Sequence, residues 1–209
     1  MTKRIKTALG ACLTFGRVQL QLSAIALFLL LFVGGNAIVF FSLISAAALH
    51  EAGHLTVIKL LGFKVDKVSV TALGAAIHRK GLTGFRHDIF IAAAGPLFSA
   101  AAFAVSYAFY ASGSESRFLS LFCGLNLILC LLNLVPAWPL DGGVMLLSAL
   151  YQRYDEKHAR FLAFYISLSA SLTLFVLGGI LLYHTGYNIS LILISLFLLY
   201  GVSRFEELV

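Results

Sequence analysis

The chain has 209 residues, of which 60% are hydrophobic and 11% charged, and ordinary soluble domains carry about twice that charged fraction. Its formal charge of +6 does not point to nucleic acid, because Lys and Arg are dispersed among short segments between apolar runs and form no basic domain. The apolar runs are of membrane-spanning length, which predicts an all-α polytopic membrane protein, one domain over residues 1–209 with about six transmembrane helices.

The start carries Lys3, Arg4, Lys6 and Arg17 and leads into a first predicted span, residues 20–33. A basic start before an apolar core resembles a signal peptide, but no small-residue cleavage site precedes a soluble domain, so the segment is read as a retained span. Gly34-Gly35-Asn36 makes a turn, and a second span covers residues 37–61. Inside it stands His50-Glu51-Ala52-Gly53-His54. Four residues of α-helix turn through about 400°, so His50 and His54 share one face, a turn apart, where two imidazoles can bind one metal ion. Glu51 follows the first ligand, at the general-base position of zinc-dependent hydrolysis. Three ionisable groups within one turn of a lipid-embedded helix are costly unless they serve a ligand.

Residues 63–80 alternate apolar and polar side chains on either side of Gly74, which predicts a β-hairpin. Strands cannot lie open in lipid, so the hairpin must be interfacial or fold back against the protein as a reentrant element. A third span, residues 88–110, contains Ala92-Ala93-Ala94-Gly95-Pro96 and then Ser99, Ala100, Ala101 and Ala102, a small-residue face suited to close helix packing. The fourth, residues 117–136, is interrupted by Pro136 and Pro139, and Leu140-Asp141-Gly142-Gly143 follows. A polar segment, residues 151–160, leads to a fifth span, residues 161–183, and a sixth covers residues 189–203. Cys12, Cys123 and Cys130 show no C-x-x-C spacing and read as small apolar residues. Six spans put both termini on one side. If that side is cytoplasmic it receives every Lys and Arg except Arg117, as the positive-inside rule requires of a multi-pass cell-membrane protein.

A catalytic zinc ion takes three protein ligands, so His50 and His54 need a partner. Asp141 and Asp88 lie at cytoplasmic ends of spans, His78, His87 and His158 in or beside cytoplasmic loops, and His184 on the far side. Asp141 is favoured, since it follows a proline-broken helix and adjoins glycines that let the backbone bend inward. The active site then lies toward the cytoplasmic side.

Together, His50-Glu51-Ala52-Gly53-His54 and Asn133-Leu134-Val135-Pro136-Ala137-Trp138-Pro139-Leu140-Asp141-Gly142 resemble the site-2 protease family of intramembrane zinc metalloproteases. Gly95-Pro96-Leu97 resembles that family's middle motif, and the hairpin its membrane-reentrant β element. The resemblance is nearest the sporulation-type branch, which lacks a PDZ domain. It implies one Zn2+ per chain on His50, His54 and Asp141, with Glu51 catalytic. Asn133, with Gly74, Ala75 and Ala76 of the hairpin, would hold an extended substrate, and Gly95, Pro96, Pro136, Pro139 and Gly142 would shape the site. The implied partners are a membrane-tethered or membrane-associated protein substrate, regulatory membrane proteins and the lipid bilayer, with no nucleic acid. Two departures stand out: Ser99 occupies a position where relatives often have Asn, and the regulatory CBS domain usual in that branch is absent. The rival reading is a metal-binding membrane transporter or non-proteolytic zinc protein, against which stand an otherwise unneeded Glu51 and the lack of an inverted repeat. A membrane zincin with a downstream helical Glu ligand is disfavoured by the lack of an E-x-x-x-D pattern.

Overall fold

The computed structural model describes residues 12–15, 18–21, 37–71, 74–80, 84–114 and 116–205. In chain order the elements are β1 (Cys12–Phe15), β2 (Val18–Gln21), α1 (Ala37–Leu60), β3 (Lys64–Thr71), β4 (Gly74–Lys80), α2 (Phe85–Ala111), α3 (Arg117–Asn133), α4 (Asp141–Leu150), α5 (Glu156–Thr185) and α6 (Ser190–Ser203). Among the described residues three helices, α1, α2 and α5, are long and apolar enough to cross a membrane. The 17 residues of α3 and 14 of α6 rise about 26 and 21 Å, short of a hydrocarbon core of about 30 Å. The 10 residues of α4 are a short helix and not a span.

The fold is not purely helical. Order β1-β2-β3-β4 makes a four-stranded sheet, with β1 antiparallel to β2, β2 parallel to β3 and β3 antiparallel to β4. The pairing of Thr71 with Gly74 joins β3 and β4, while Leu20 lies opposite Val70 across the parallel pair. The first predicted span therefore starts too early, since residues 20 and 21 are strand; the rest of it, the Gly34-Gly35-Asn36 turn and the basic residues up to Lys6 lie outside the described residues. The signal for β2 is the alternation Val18-Gln19-Leu20-Gln21, the same period-two pattern that betrays β3.

Two compact units divide the chain: one holds α1, the sheet, α2 from Phe98 and α3 to Leu127, the other α2 to Leu97, the end of α3 and α4 to α6. In the first, the buried stripe of α1 is Ser42, Ala46, His50, Gly53, His54 and Ile58, a helical repeat of three and four that is mostly small residues. Its exposed faces, and those of α2, carry large apolar side chains such as Phe41, Val105 and Phe109, as lipid-facing helices do. In the second, Leu147, Ala163 and Phe205 form a core against which Trp138, Leu150, Tyr151 and Phe164 pack. The α5 helix ends at Gly186, in the left-handed conformation with φ 74°, whose N–H caps the Leu182 carbonyl at 2.7 Å. Just before α5, the His158 side chain beside Asp155 holds that exposed carboxyl below its ordinary pKa.

Buried hydroxyls in these helices mostly close on their own backbone. Ser42 donates to the Ile38 carbonyl at 2.7 Å, with the Phe118 carbonyl of α3 at 3.5 Å, Ser106 to Ala102 at 2.7 Å and Ser171 to Ser167 at 2.8 Å, so that the hydroxyl is satisfied chiefly by its own helix.

Helix α6 lies so close to α5 that a Cβ on Gly178 would stand 2.9 Å from both the Ile192 backbone N and its Cγ1, whereas nothing lies within 4 Å of one on Gly179. Overpacking costs about 1–3 kcal/mol, so Gly178→Val lowers the detergent melting temperature by several degrees and Gly179→Val leaves it within a degree or so. Equal melting of the two variants would show that α5 and α6 do not meet there.

Candidate metal centre

The two histidines belong to the buried stripe of α1, His50 with 5% and His54 with 8% of its surface exposed. Their imidazoles meet edge to face at 77°, with Nε2 of His54 3.3 Å from Nε2 of His50. Zinc–nitrogen bonds of about 2.0–2.1 Å at tetrahedral angles place two nitrogens roughly 3.3–3.4 Å apart, so the pair fits one zinc ion. The other ring nitrogen of His50, Nδ1, lies 3.0 Å from the hydroxyl of Ser99 on α2, a residue with no exposed surface. Glu51, adjacent to His50 on α1, is half-buried.

Asp141 opens α4, where a carboxylate is favoured by the exposed N–H groups of the first helical turn. The chain reaches it through a compact turn: α3 ends at Asn133, three residues before Pro136, and not within the predicted span to residue 136. Ala137 N–H donates to the Val135 carbonyl at 2.8 Å and Leu140 N–H to Ala137 at 2.9 Å. Ser167 of α5 accepts the Trp138 N–H at 3.1 Å, and the indole of Trp138 packs edge-on against Phe205 with ring centres 5.7 Å apart. Prolines 136 and 139, both exposed, shape this turn, and the Trp138-Pro139 peptide is cis.

The glycines after Asp141 do something other than bend the chain. They lie inside α4, and a Cβ on Gly142 would sit 2.6 Å from the Leu134 carbonyl oxygen and closer still to that of Val135, while one on Gly143 would sit 2.6 Å from Trp138 N. Only bare backbone lets the proline turn lie flat on the helix that begins with the carboxylate.

His50 and His54 offer two imidazole nitrogens on one face of α1, and Asp141 offers a carboxylate at the start of α4. This is a hard-and-borderline N/N/O donor set, common to catalytic zinc sites with three protein ligands. The other sequence candidates stand apart from it in character: His87, His158 and His184 are exposed, Asp88 is half-buried in the first turn of α2, and His78 belongs to β4, paired with Lys67. Asn133, half-buried at the last position of α3, donates its amide N–H to the Leu129 carbonyl at 3.0 Å. Gly95 and Pro96 are buried within α2, where Pro96 leaves the Ala92 carbonyl without its helical N–H. Gly74, Ala75 and Ala76 start β4, opposite Thr71, Val70 and Ser69. In the sequence Ser99 is part of a small-residue packing face and a departure from relatives; its contact with His50 is a tertiary fact that no spacing encodes.

The model of Peptidase family M50 matches residues 109–177, which include Asn133, Pro136, Pro139 and Asp141. A zinc metalloprotease of Methanocaldococcus jannaschii is 31% identical over 182 residues, 83% of this chain and 50% of the relative, so the chain spans about half the length of that curated relative. The solved structure of the site-2 protease from Methanocaldococcus jannaschii superposes with a TM-score of 0.71 at 26% identity, covering 95% of this chain and 96% of that one. A four-residue histidine pair buried on an apolar helix and an aspartate behind a proline turn thus stand in a chain that is similar, over part of its length, to peptidase family M50 and, in fold, to a site-2 protease.

Proposed function

We propose that this protein is an intramembrane zinc metalloprotease, which hydrolyses a peptide bond in or beside a transmembrane segment of a membrane-tethered protein and so releases it. The observation that carries the reading is the 3.3 Å separation of the His50 and His54 Nε2 atoms on a buried, apolar helical face. His50, His54 and Asp141 hold the ion. Bound there, zinc supplies Lewis acidity toward the scissile carbonyl and toward the attacking water. Glu51 takes a proton from that water as its oxygen bonds to the carbonyl carbon, and returns it to the amide nitrogen as the C–N bond breaks. The carboxylate ends the cycle as it began. A storage or transport site would need the two histidines and Asp141 but gives Glu51 no task.

Glu51→Gln keeps the shape and loses the base, so cleavage of a model transmembrane substrate falls by at least roughly 100-fold, while zinc content by elemental analysis stays near that of wild type; His50→Ala loses both. Wild-type turnover in Glu51→Gln would falsify the assignment.

Six spans with both termini cytoplasmic follow from charge asymmetry, with the short α3 and α6 crossing with help from their flanks. In intact cells, cysteines replacing Ser114 and Thr185 then react with an impermeant thiol reagent, and cysteines replacing Lys80 and Lys157 react only after permeabilisation. The opposite pattern sinks this orientation.

Helical substrate hides its carbonyls and must be drawn out straight, for which a strand edge is the simplest backbone partner. The edge is β4. Strand β3 offers no edge there, since Val70 is paired on both sides, with Leu20 and with Ala75. Asn133 holds the extended chain from α3. Neighbouring amides on a strand point to opposite sides, so of Ala75→Pro and Ala76→Pro one removes an N–H facing β3 and the other an N–H facing the open edge. The edge-facing variant cleaves at least several-fold more slowly with normal zinc content and melting temperature. Wild-type cleavage rates in both variants would dismiss strand addition.

A further inference from the structure

Among the buried serines, Ser42, Ser106 and Ser171 each bond to a carbonyl of their own helix. Ser99 does not follow them. It has no exposed surface, and its Oγ stands 3.0 Å from Nδ1 of His50, in a different helix. Both residues fall within the same compact unit.

A neutral imidazole carries a single N–H, and the nitrogen that holds it cannot coordinate a metal. The hydroxyl at Nδ1 therefore matters in a way that a methyl group would not. If it donates to a bare Nδ1, the ring proton sits on Nε2, the atom that faces His54, and coordination there is blocked. If it accepts from Nδ1–H, Nε2 presents its lone pair. We propose that Ser99 is a positioning residue that accepts the Nδ1–H of His50 and so fixes the tautomer and ring plane in which Nε2 can bind zinc. The inference rests on the reading of His50 as a zinc ligand. An interior of low dielectric strengthens such a bond.

The test uses the full chain in detergent and zinc itself as the probe, with affinity read by competition against a chromogenic chelator. Ser99→Ala removes one oxygen and no packing volume to speak of. Loss of such a partner typically weakens a metal site roughly 10- to 100-fold, and that loss is expected here, with an unchanged melting temperature of the zinc-free protein. Ser99→Asn, whose amide oxygen can accept the same N–H, recovers most of the affinity. A Ser99→Ala protein that binds zinc within twofold of wild type overturns the proposal, as does an Asn variant of normal zinc-free stability that binds no better than the alanine variant. His50→Ala, measured alongside, separates the two levels: if it too leaves zinc affinity unchanged, the metal-site reading fails and takes the Ser99 role with it; if it abolishes binding while Ser99→Ala does not weaken it, only the Ser99 inference falls.

Discussion

A polar atom surrounded by hydrocarbon must find its partner inside the protein, and this single demand organises what the chain does with its few polar residues. Serines answer it locally, through carbonyls one turn back. The α3 amides do likewise, Asn126 donating to Phe122 at 2.8 Å and Asn133 to Leu129 at 3.0 Å. The two histidines of α1 instead meet side chains, His54 the ring of His50 and His50 the hydroxyl of Ser99. Their ring nitrogens must be met from elsewhere, by another histidine, by a hydroxyl such as that of Ser99, or by an ion. The buried face of α1 is therefore functional for the same reason that it is expensive.

Small residues make that arrangement possible. Ala46 and Gly53 alternate with the histidines on the buried stripe of α1, and Gly142 and Gly143 receive the carbonyls of the turn that leads to Asp141. In water such surfaces would gain little by meeting. In lipid, where burying apolar area offers no advantage between helices, close backbone contact is what holds elements together. The same residues that lower the packing distance thus set the positions of the metal-binding candidates, and structure and chemistry depend on one set of glycines and alanines.

The candidate centre was legible in the sequence because its parts are local: a four-residue histidine spacing needs only a helix, and a proline pair before an aspartate needs only a broken one. The middle of α2 and the motif helix were readable for the same reason, their bounds differing from Phe85–Ala111 and Ala37–Leu60 by a few residues at most. What escaped depended on long-range pairing. The strand β2 joins β3 in parallel across more than forty residues, and its four alternating residues are too short to outweigh the apolar run that follows them. The roles of Gly142 and Gly143 escaped too, since a missing Cβ matters only once the opposing carbonyl is placed. Ser99 is the clearest case: by sequence it is one small residue among many in an alanine-rich helix, and only the fold puts an imidazole nitrogen against it.

Trp138 is the single tryptophan of the chain, and it sits in the turn that leads to Asp141, held through its backbone N–H by Ser167 and through its ring by Phe205. Its indole emission therefore comes from one place and reports on one place. Light absorbed at the red edge of the protein spectrum reads the packing of that turn without any label, and a shift in colour or lifetime on loading an ion or engaging a substrate registers movement in the segment that carries the carboxylate.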